Sequence, residues 1–517
     1  MKISTHPPRR AVMAVVALLF AGSAVAANYP LELVSPRAAG SLPSQDSGTP
    51  AMPSGHRIFF AYPGVAYNIR AVVIAGAFPY TFSLSNAPSG MTINASTGEI
   101  NWPNPQANAT PTISVTDSEG TTRSSQWAIT VTTNGFKFVD SVNGADSNNG
   151  TMGSPWATLS RVKASAQAGD IIYFRTGVYT TLGMATDNTA SAEFSPPGNW
   201  QRVEFSGGIV RFLAFPGESP IYDGGYVANQ RQGNILSISC TSNYPSYFEG
   251  FTLRNMWHIG IQFGSGSCHY PVWRNLQFNG PSVGVDGANS SGIMTTSSLG
   301  NPTYYAAYQR VSQTNGDPGV MKMYSHKKNL WEDCDVRNTD GGPDQKMHVP
   351  RFEIRRCTFV NTASREQGGI FGNMQYGSGG VGENSSGEIR FNYVDRRNVT
   401  DGVALDLNQN AETANMYVYR NTFIGVVRVR NADSVIGPIR IYNNVIINNT
   451  AGSKITYQDG SSSSRVAVLD NLTGTMSNNI VDATGQLTAP YVQFIGTRGH
   501  QLGNEIRPRP PTALSVQ

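Results

Sequence analysis

Four short segments in the second half of the chain carry charged or polar residues at every other position. In a β-strand successive side chains point to opposite faces, so apolar residues at alternate positions predict an inner face and the residues between them an outer face. The segments are GVMKMYSHKK (319–328), DQKMHV (344–349), GVALDLN (402–408) and VVRVRN (426–431). The residues predicted to point outward are Lys322, Tyr324, Lys346, His348, Asp406, Asn408, Arg428 and Arg430.

The spacing of these segments predicts that their outward residues stack. Lys322 and Lys346 are separated by one repeat of the pattern described below, so we expect them on neighbouring strands, with Arg365 contributed by an adjoining loop. Like charges on neighbouring strands destabilise a sheet, and such a stripe is easier to explain if an anion binds there. The alternative is a solvated face with ion pairs to Asp344 or Asp406.

An acidic polysaccharide would suit this stripe. Uronate polymers are cleaved by β-elimination, which needs a group that neutralises the carboxylate, a base for the C5 proton and an acid for the leaving oxygen. A lysine beside other positive charges has a lowered pKa and can be the base, and Lys322 and Lys346 are the candidates for this catalytic role. Arg428 can bind a carboxylate through two N–H groups of its planar guanidinium. Tyr324 or His348 can act as acid or base.

A loose repeat runs through the same part of the chain. Examples are LWEDCDV (330–336), IRRCTFV (354–360), VYRNTFI (418–424) and IYNNVII (441–447). The pattern recurs about every 23–25 residues, apart from insertions. This spacing predicts that each repeat forms one coil of a parallel β-helix. Asparagine at the anchor position tolerates tight turns and can bond to the asparagine one coil away. The anchors are Gly250, Asn275, Cys334, Cys357, Asn392, Asn421 and Asn444.

The segment FKFVDSVNGADSNNGTMGSPWATLSRVKASAQAGDIIYFRTGVYT (136–180) resembles the entry of pectate-lyase-like right-handed parallel β-helix proteins. Trp156, Leu159 and Val162 are expected to cover the open end of the core. The resemblance implies a β-helix over 136–505 and a polysaccharide lyase that uses lysine and arginine, often with Ca²⁺. Candidate calcium ligands are Asp317, Asp340 and Asp344, whereas Asp140, Asp146 and Asp170 suit turns and caps better.

Two other functions stay open, because no complete lyase motif aligns and the glutamate pair that binds calcium in chondroitinase-B-like lyases has no counterpart. NTDGGPD (338–344) resembles a segment of polygalacturonase-like hydrolases, in which paired carboxylates act as acid and base. Asp340, Asp344 and Asp406 would carry that reaction. A non-catalytic adhesin is the other alternative, with Tyr304, Tyr305 and Tyr308 stacking on sugar rings or simply buried.

The N-terminal part predicts three further segments. Residues 1–26 have the basic start, apolar stretch and Ala24-Val25-Ala26 site of a cleavable export signal, which predicts a secreted or periplasmic protein. Residues 27–55 are expected to be a linker, and short alternating strands over 56–133 predict a β-sandwich. The stretch 79–102 resembles immunoglobulin-like, cadherin-like modules of secreted bacterial proteins. Residues 506–517 are predicted to be a tail.

Composition limits the partners. Removing the signal lowers the formal net charge from +4 to +1, because it carries three basic residues and no acidic ones. We therefore expect no nucleic-acid partner. No apolar run in the sequence is long enough to span a bilayer, so we also expect no membrane insertion, and we expect a monomer. Four cysteines occur without metal-site spacing. Cys334 and Cys357 share a register one coil apart and are either a disulfide or a stacked thiol pair, and Cys240 and Cys268 could bridge a loop.

Overall fold

The computed structural model of the protein describes most of the chain up to residue 475. The described residues are 27–44, 48–184, 188–189, 199–225, 232–255, 259–263, 268–279, 291–295, 302–316, 321–324, 326–339, 344–346, 351–360, 386–396, 402–408, 415–430, 439–448, 455–458, 466–469 and 472–475. The predicted signal and tail lie outside them. No helix within these ranges is long and apolar enough to cross a membrane.

The first part of the chain is a β-sandwich of short, mostly antiparallel strands, as predicted. Phe82, Ile113 and Val115 alternate with exposed or half-buried residues and fill its core. The strands are Glu32–Ser35, Phe60–Ala61, Tyr67–Arg70, Val72–Ile74, Thr81–Ser85, Thr92–Ile93, Glu99–Trp102, Thr112–Thr116, Thr122–Gln126 and Thr130–Val131, with a 3-10 helix at Arg57–Phe59.

Part of the predicted linker belongs to this sandwich. The strand Glu32–Ser35 pairs antiparallel with Val72–Ile74, and Leu31, Leu33 and Val34 are buried in the core. These apolar residues explain the difference, because a solvated linker would leave them in water.

The entry segment forms as predicted. Strand Phe136–Val139 pairs with Ile171–Phe174, and the helix Leu159–Ser165 places Leu159 and Val162 in the core of the β-helix beside Trp156. Thr158 caps the helix by accepting a hydrogen bond from the Arg161 amide. Three aspartates accept backbone N–H groups in turns and caps, which confirms the predicted structural roles of Asp140, Asp146 and Asp170.

From Ile171 onward the chain forms parallel coils with three faces, which confirms the right-handed parallel β-helix. Face 1 contains Ile171–Phe174, Arg211–Ala214, Tyr247–Glu249, the first halves of Val272–Asn279 and Ala307–Gly316, Leu330–Glu332, Phe352–Arg355, Gly387–Arg390, Met416–Tyr419, Ile439–Tyr442 and Val466–Leu469.

Faces 2 and 3 complete each coil. Face 2 contains Val178–Thr180, Ile221–Asp223, Thr252–Arg254, the second halves of Val272–Asn279 and Ala307–Gly316, Asp335–Thr339, Thr358–Val360, Tyr393–Asp395, Thr422–Ile424, Val445–Asn448 and Leu472–Thr475. Face 3 contains Asn188–Thr189, Asn199–Phe205, Gln232–Ile238, Ile259–Phe263, Ser291–Thr295, Met321–Tyr324 and Asp344–Lys346, then Val403–Asn408, Val426–Arg430 and Ile455–Gln458. The short pair Thr303–Tyr304 and His326–Lys327 lies at the corner between faces 3 and 1.

The corner between faces 1 and 2 is held by the predicted asparagine ladder. The Asn421 side chain accepts hydrogen bonds from the Asn392 amide and side chain at 3.0 Å and donates to Asn444 Oδ1 at 3.0 Å. From Cys334 to Asn444 the residue before each anchor adopts a left-handed conformation, which turns the chain. These residues are Asp333, Arg356, Phe391, Arg420 and Asn443. At Gly250 and Asn275 the predicted anchor itself is left-handed, so the prediction places these two anchors one position too early.

The cysteines take two forms. Cys240 and Cys268 form a disulfide with Cα atoms 5.3 Å apart. Cys334 and Cys357 are buried free thiols that continue the ladder, since the Cys334 amide donates to Cys357 Sγ at 3.2 Å.

Candidate functional site

The N-terminal β-sandwich covers the outer surface of face 1. Apolar side chains of both domains form one buried cluster, which includes Tyr67 and Ile69 of the sandwich and Tyr173, Tyr247 and Leu330 of face 1. The outward row of face 1 runs in register through Glu249, Arg274, Gln309, Glu332, Arg355, Arg390 and Tyr419, all buried or nearly so. A substrate therefore has no access to this face over these coils.

Ion pairs hold the two domains together. Arg70 of the sandwich contacts Glu332 at 3.4 Å and Asp333 at 2.5 Å, and the Ala75 amide donates to Glu353 at 2.8 Å. Within the β-helix, Arg355 bridges Glu332 and Glu353 at 2.7 and 2.9 Å. Charges buried this deeply require partners, and each carboxylate here has at least one.

The surroundings of two interface carboxylates, Glu332 and Glu388, shift their pKa values in opposite directions. Burial alone would raise the pKa of Glu332, but the guanidinium groups of Arg355, Arg70 and Arg356 outweigh it and hold that pKa well below its usual range. At Glu388, burial prevails over the attraction of Arg390 and raises the pKa, because Arg390 lies 3.9 Å away and Glu353 is its neighbour in register.

Face 3 carries most of the residues that the sequence proposes for chemistry. Its strands place Lys322 in register with Asp344, and Tyr324 in register with Lys346. The predicted stacking of Lys322 on Lys346 is therefore wrong by two positions, because the coil is shorter on face 3 than the separation of the two lysines. Because the shift is an even number of residues, Lys322, Tyr324, Asp344 and Lys346 still occupy positions on the same side of the sheet.

The next described coils of face 3 hold a buried ion pair. Asp406 is in register with Arg428, and Asn408 with Arg430. The Asp406 carboxylate accepts a hydrogen bond from Arg428 Nη2 at 2.5 Å, with side-chain exposures of 0% and 18%. Leu405 and Leu407 on either side of Asp406 lie in the core, so Asp406 belongs to the outer row as predicted, and it is buried there by its ion pair with Arg428. The carboxylate fixes the orientation of the Arg428 guanidinium.

Several predicted site residues cannot be placed in atomic detail. His348, Arg365, Asp317 and Asp340 lie outside the described residues. For Lys322, Tyr324, Asp344, Lys346, Asn408 and Arg430, the structure describes the strand but not the side chain. Within the described part of the chain, no group of three or more His, Cys, Asp or Glu side chains is arranged to hold a metal ion, so calcium binding stays a prediction.

The tyrosines proposed for sugar stacking are mostly internal. Tyr305 and Tyr308 are buried, and Tyr308 stacks on Trp331 within the core at a centroid distance of 4.9 Å. These two residues cannot stack on a glycan, which removes the main support for the adhesin hypothesis. Tyr304 is half-buried.

Tyr304 belongs to a row that the sequence analysis does not identify as a site. His269, Tyr304 and Lys327 occupy the same position on three successive coils, at the corner between faces 3 and 1. The His269 and Tyr304 rings meet edge-on at 5.4 Å, and Lys327 Nζ lies 5.4 Å from the Tyr304 ring centre. Their separations in sequence equal those found between successive anchors, which is the one sequence signal that could have revealed the row.

The geometry defines a right-handed parallel β-helix protein with an Ig-like domain docked along face 1. Residues 47–132 match the family described as "Putative Ig domain". No curated protein matches the chain.

Several solved structures are similar to this chain. A rhamnogalacturonan lyase shares 15% identity, with a TM-score of 0.42, over 68% of this chain and 90% of its own. A pectate lyase, Pel9A, shares 14% identity, with a TM-score of 0.37, over 66% and 77%. A family 28 exopolygalacturonase of Yersinia enterocolitica shares 10% identity, with a TM-score of 0.37, over 80% and 97%. The fold assignment rests on the strand register described above.

Proposed function

We propose that this protein is an exported, monomeric polysaccharide lyase that cleaves a uronate-containing polysaccharide by β-elimination on face 3. The observation that carries the proposal is the register of that face, where Tyr324 lies beside Lys346 and Arg428 beside Asp406. Face 1 is closed by the Ig-like domain, and the residues proposed for chemistry belong to the strands of face 3. Secretion or periplasmic localisation is part of this proposal and rests on the signal-like N-terminus.

The reaction assigns one role to each group. Lys346 removes the C5 proton of the uronate, the C4–O bond breaks, a C4=C5 double bond forms, and Tyr324 or His348 protonates the leaving oxygen. Arg428, oriented by Asp406, binds the substrate carboxylate with its planar guanidinium. Lys322, Arg365, Asn408 and Arg430 contact neighbouring sugars.

Calcium can supply the neutralising charge in this proposal. Ca²⁺ binds oxygen ligands such as aspartate carboxylates, and the candidates are Asp317, Asp340 and Asp344. Asp344 lies in register with Lys322 on the neighbouring strand of face 3. Chelation of calcium tests this point directly, since a lyase that relies on lysine and arginine alone retains its activity in a chelator.

The hydrolase alternative is less well supported. A pair of catalytic carboxylates must reach the glycosidic oxygen and a water molecule, but the Asp406 carboxylate is fully buried against Arg428. Asp340 and Asp344 would then carry the reaction alone.

The test is cleavage of defined polymers by the purified protein. Polygalacturonate, alginate, hyaluronan and a neutral glucan are incubated with it, and ultraviolet absorbance and reducing ends are followed. Absorbance of an unsaturated uronide that disappears in Lys346→Ala, but not in the control Lys163→Ala on the entry helix, supports the lyase. New reducing ends without absorbance indicate a hydrolase, and no products from any acidic polymer would refute the proposal.

A further inference from the structure

The corner row of His269, Tyr304 and Lys327 has the properties of a binding subsite. All three side chains are half-buried, and they are linked through the backbone, since the Tyr270 amide donates to the Tyr304 carbonyl and the Tyr305 amide to the Lys327 carbonyl, at 2.8 and 3.0 Å. The row is therefore fixed at the spacing of the coils, about 4.8 Å per step.

Each member presents a polar group suited to an oxygen-rich anion. Burial lowers the pKa of His269, so its imidazole is neutral near pH 7 and offers one donor and one acceptor. Its Nδ1 is buried and has no hydrogen-bond partner among the described residues, so one polar atom of this corner is left unsatisfied. The Lys327 ammonium brings a positive charge over the Tyr304 ring, and the ring carries its hydroxyl at the far end.

The residue that follows each member of this row is buried, unlike the row itself. Tyr270, Tyr305 and Lys328 are buried against the N-terminal segment, where Lys328 binds Glu32 at 3.1 Å and the Tyr270 hydroxyl donates to the Pro50 carbonyl at 2.8 Å. The corner thus has one row used for domain docking and one row left half-exposed.

The row lies at the edge of face 3, the surface on which the polymer is proposed to bind. Lys327 follows Tyr324 of face 3 by three residues, so their Cα atoms are separated by at most about 10 Å, the length of three extended residues at about 3.3 Å each. A polymer that binds along face 3 with one sugar at Tyr324 and Lys346 would reach the corner with a nearby sugar.

We propose that His269, Tyr304 and Lys327 form a subsite for the carboxylate and hydroxyl groups of a uronate unit away from the cleaved bond. The inference rests on the proposed function for its substrate class, but it concerns binding and not the chemical step. Lys327 pairs with the uronate carboxylate, and His269 and the Tyr304 hydroxyl bind the sugar hydroxyls.

Binding and cleavage are measured separately in the test. Retardation of the full-length protein in gels containing polygalacturonate, alginate or a neutral glucan gives affinity without needing turnover. Lys327→Met and Tyr304→Phe should each weaken binding to the preferred uronate polymer about tenfold, the loss expected for one hydrogen bond to a charged or polar group. They should raise KM for the polymer and leave kcat unchanged.

The control is Arg123→Met, which removes one exposed positive charge from the Ig-like domain, where the Arg123 side chain donates a hydrogen bond to the carbonyl of Thr122. Tyr304→Phe removes a single hydroxyl, so it tests the subsite even if Lys327→Met does not fold. Wild-type affinity in Tyr304→Phe and Lys327→Met, or absence of uronate binding by the wild type, would overturn the subsite. Loss of binding in these variants while the wild type cleaves no polymer would overturn the lyase and retain the subsite.

Discussion

Arg70 of the Ig-like domain lies 3.4 Å from Glu332 of the β-helix, and both side chains are buried. The residues are far apart in the sequence, so this ion pair joins the two domains. Glu332 also contacts Arg355 and Arg356 at 2.7 and 2.6 Å, which makes it the centre of the charged part of the interface. The contact explains why the two domains should behave as one unit in solution.

Replacement of Arg70 tests the strength of this interface. Arg70→Met leaves Glu332 and Asp333 with fewer positive partners, and we expect the free energy of unfolding to fall by about 2–4 kcal/mol. Chemical denaturation followed by tryptophan fluorescence measures the change. Arg123→Met, on the exposed side of the same domain, should alter stability by less than about 0.5 kcal/mol. Equal effects of the two substitutions would show that the buried pairs do not stabilise the docked state.

Glu388 and Glu332 should have opposite effects on the pH dependence of stability. The folded-state pKa of Glu388 is raised, so its contribution is present at acid pH and is lost as pH rises through that pKa. Glu388→Gln should therefore raise the thermal midpoint at pH 7, by about 2 °C or more, and have little effect near pH 4. Thermal scans at the two pH values check this.

Glu332→Gln is the matched comparison for Glu388→Gln. The folded-state pKa of Glu332 is held well below its usual range, so its stabilising contribution is present above the unfolded-state pKa and is lost as pH falls. Glu332→Gln should lower the thermal midpoint at pH 7 and reduce the sensitivity of the protein to acid. If both variants shift stability in the same direction at pH 7, the assignment of the two environments is wrong.

The asparagine ladder should be sensitive to a single truncation. Asn421→Ala removes the acceptor of the Asn392 amide and the donor to the Ile389 carbonyl, and leaves a small cavity. Orphaned buried polar groups cost about 1–3 kcal/mol each, so the variant should lose about 3–5 kcal/mol. Asn104→Ala, at an exposed loop position, serves as control in the same denaturation experiment. A loss below about 1 kcal/mol would mean that the ladder contributes little.

Arg428 should matter for substrate binding through the geometry of its guanidinium. Arg428→Lys keeps the charge but lacks the planar fork that binds a carboxylate through two N–H groups. We expect KM for the cleaved uronate polymer to rise about tenfold, the equivalent of about 1.4 kcal/mol, with a smaller change in kcat. Steady-state kinetics measure this, with Arg123→Lys as the control. An unchanged KM would remove Arg428 from the binding surface.

The periodic features of the fold can be predicted from the sequence, because they depend on local patterns. Alternation places Leu405, Leu407, Val427 and Val429 inside face 3, and all four are buried. The recurring anchor spacing predicts the ladder of Asn392, Asn421 and Asn444. Each of these features repeats from coil to coil, so a wrong prediction for one coil does not carry over to the prediction for the next.

The relations between faces and between domains cannot be predicted in the same way. The anchors measure coil length at the corner between faces 1 and 2, whereas Lys322 and Lys346 lie on face 3, where loops of different length set the register. Likewise, nothing local to Arg70 or Arg355 indicates that these charged residues are buried. Their burial follows from docking between segments that are distant in the sequence.

The docking surface also has a mechanical consequence. In a solenoid each coil contacts only its neighbours, so bending and twisting accumulate along the axis. Here the Ig-like domain and its N-terminal segment contact face 1 at residues from Tyr173 to Tyr442. These contacts stiffen the stack of coils along its axis. Bending of the coils would have to shear the ion pairs of Arg70 and the bonds between Tyr80 and Arg390. Face 3 is therefore held at a constant pitch, and the groups proposed to bind a polymer there are kept at fixed intervals along the stack.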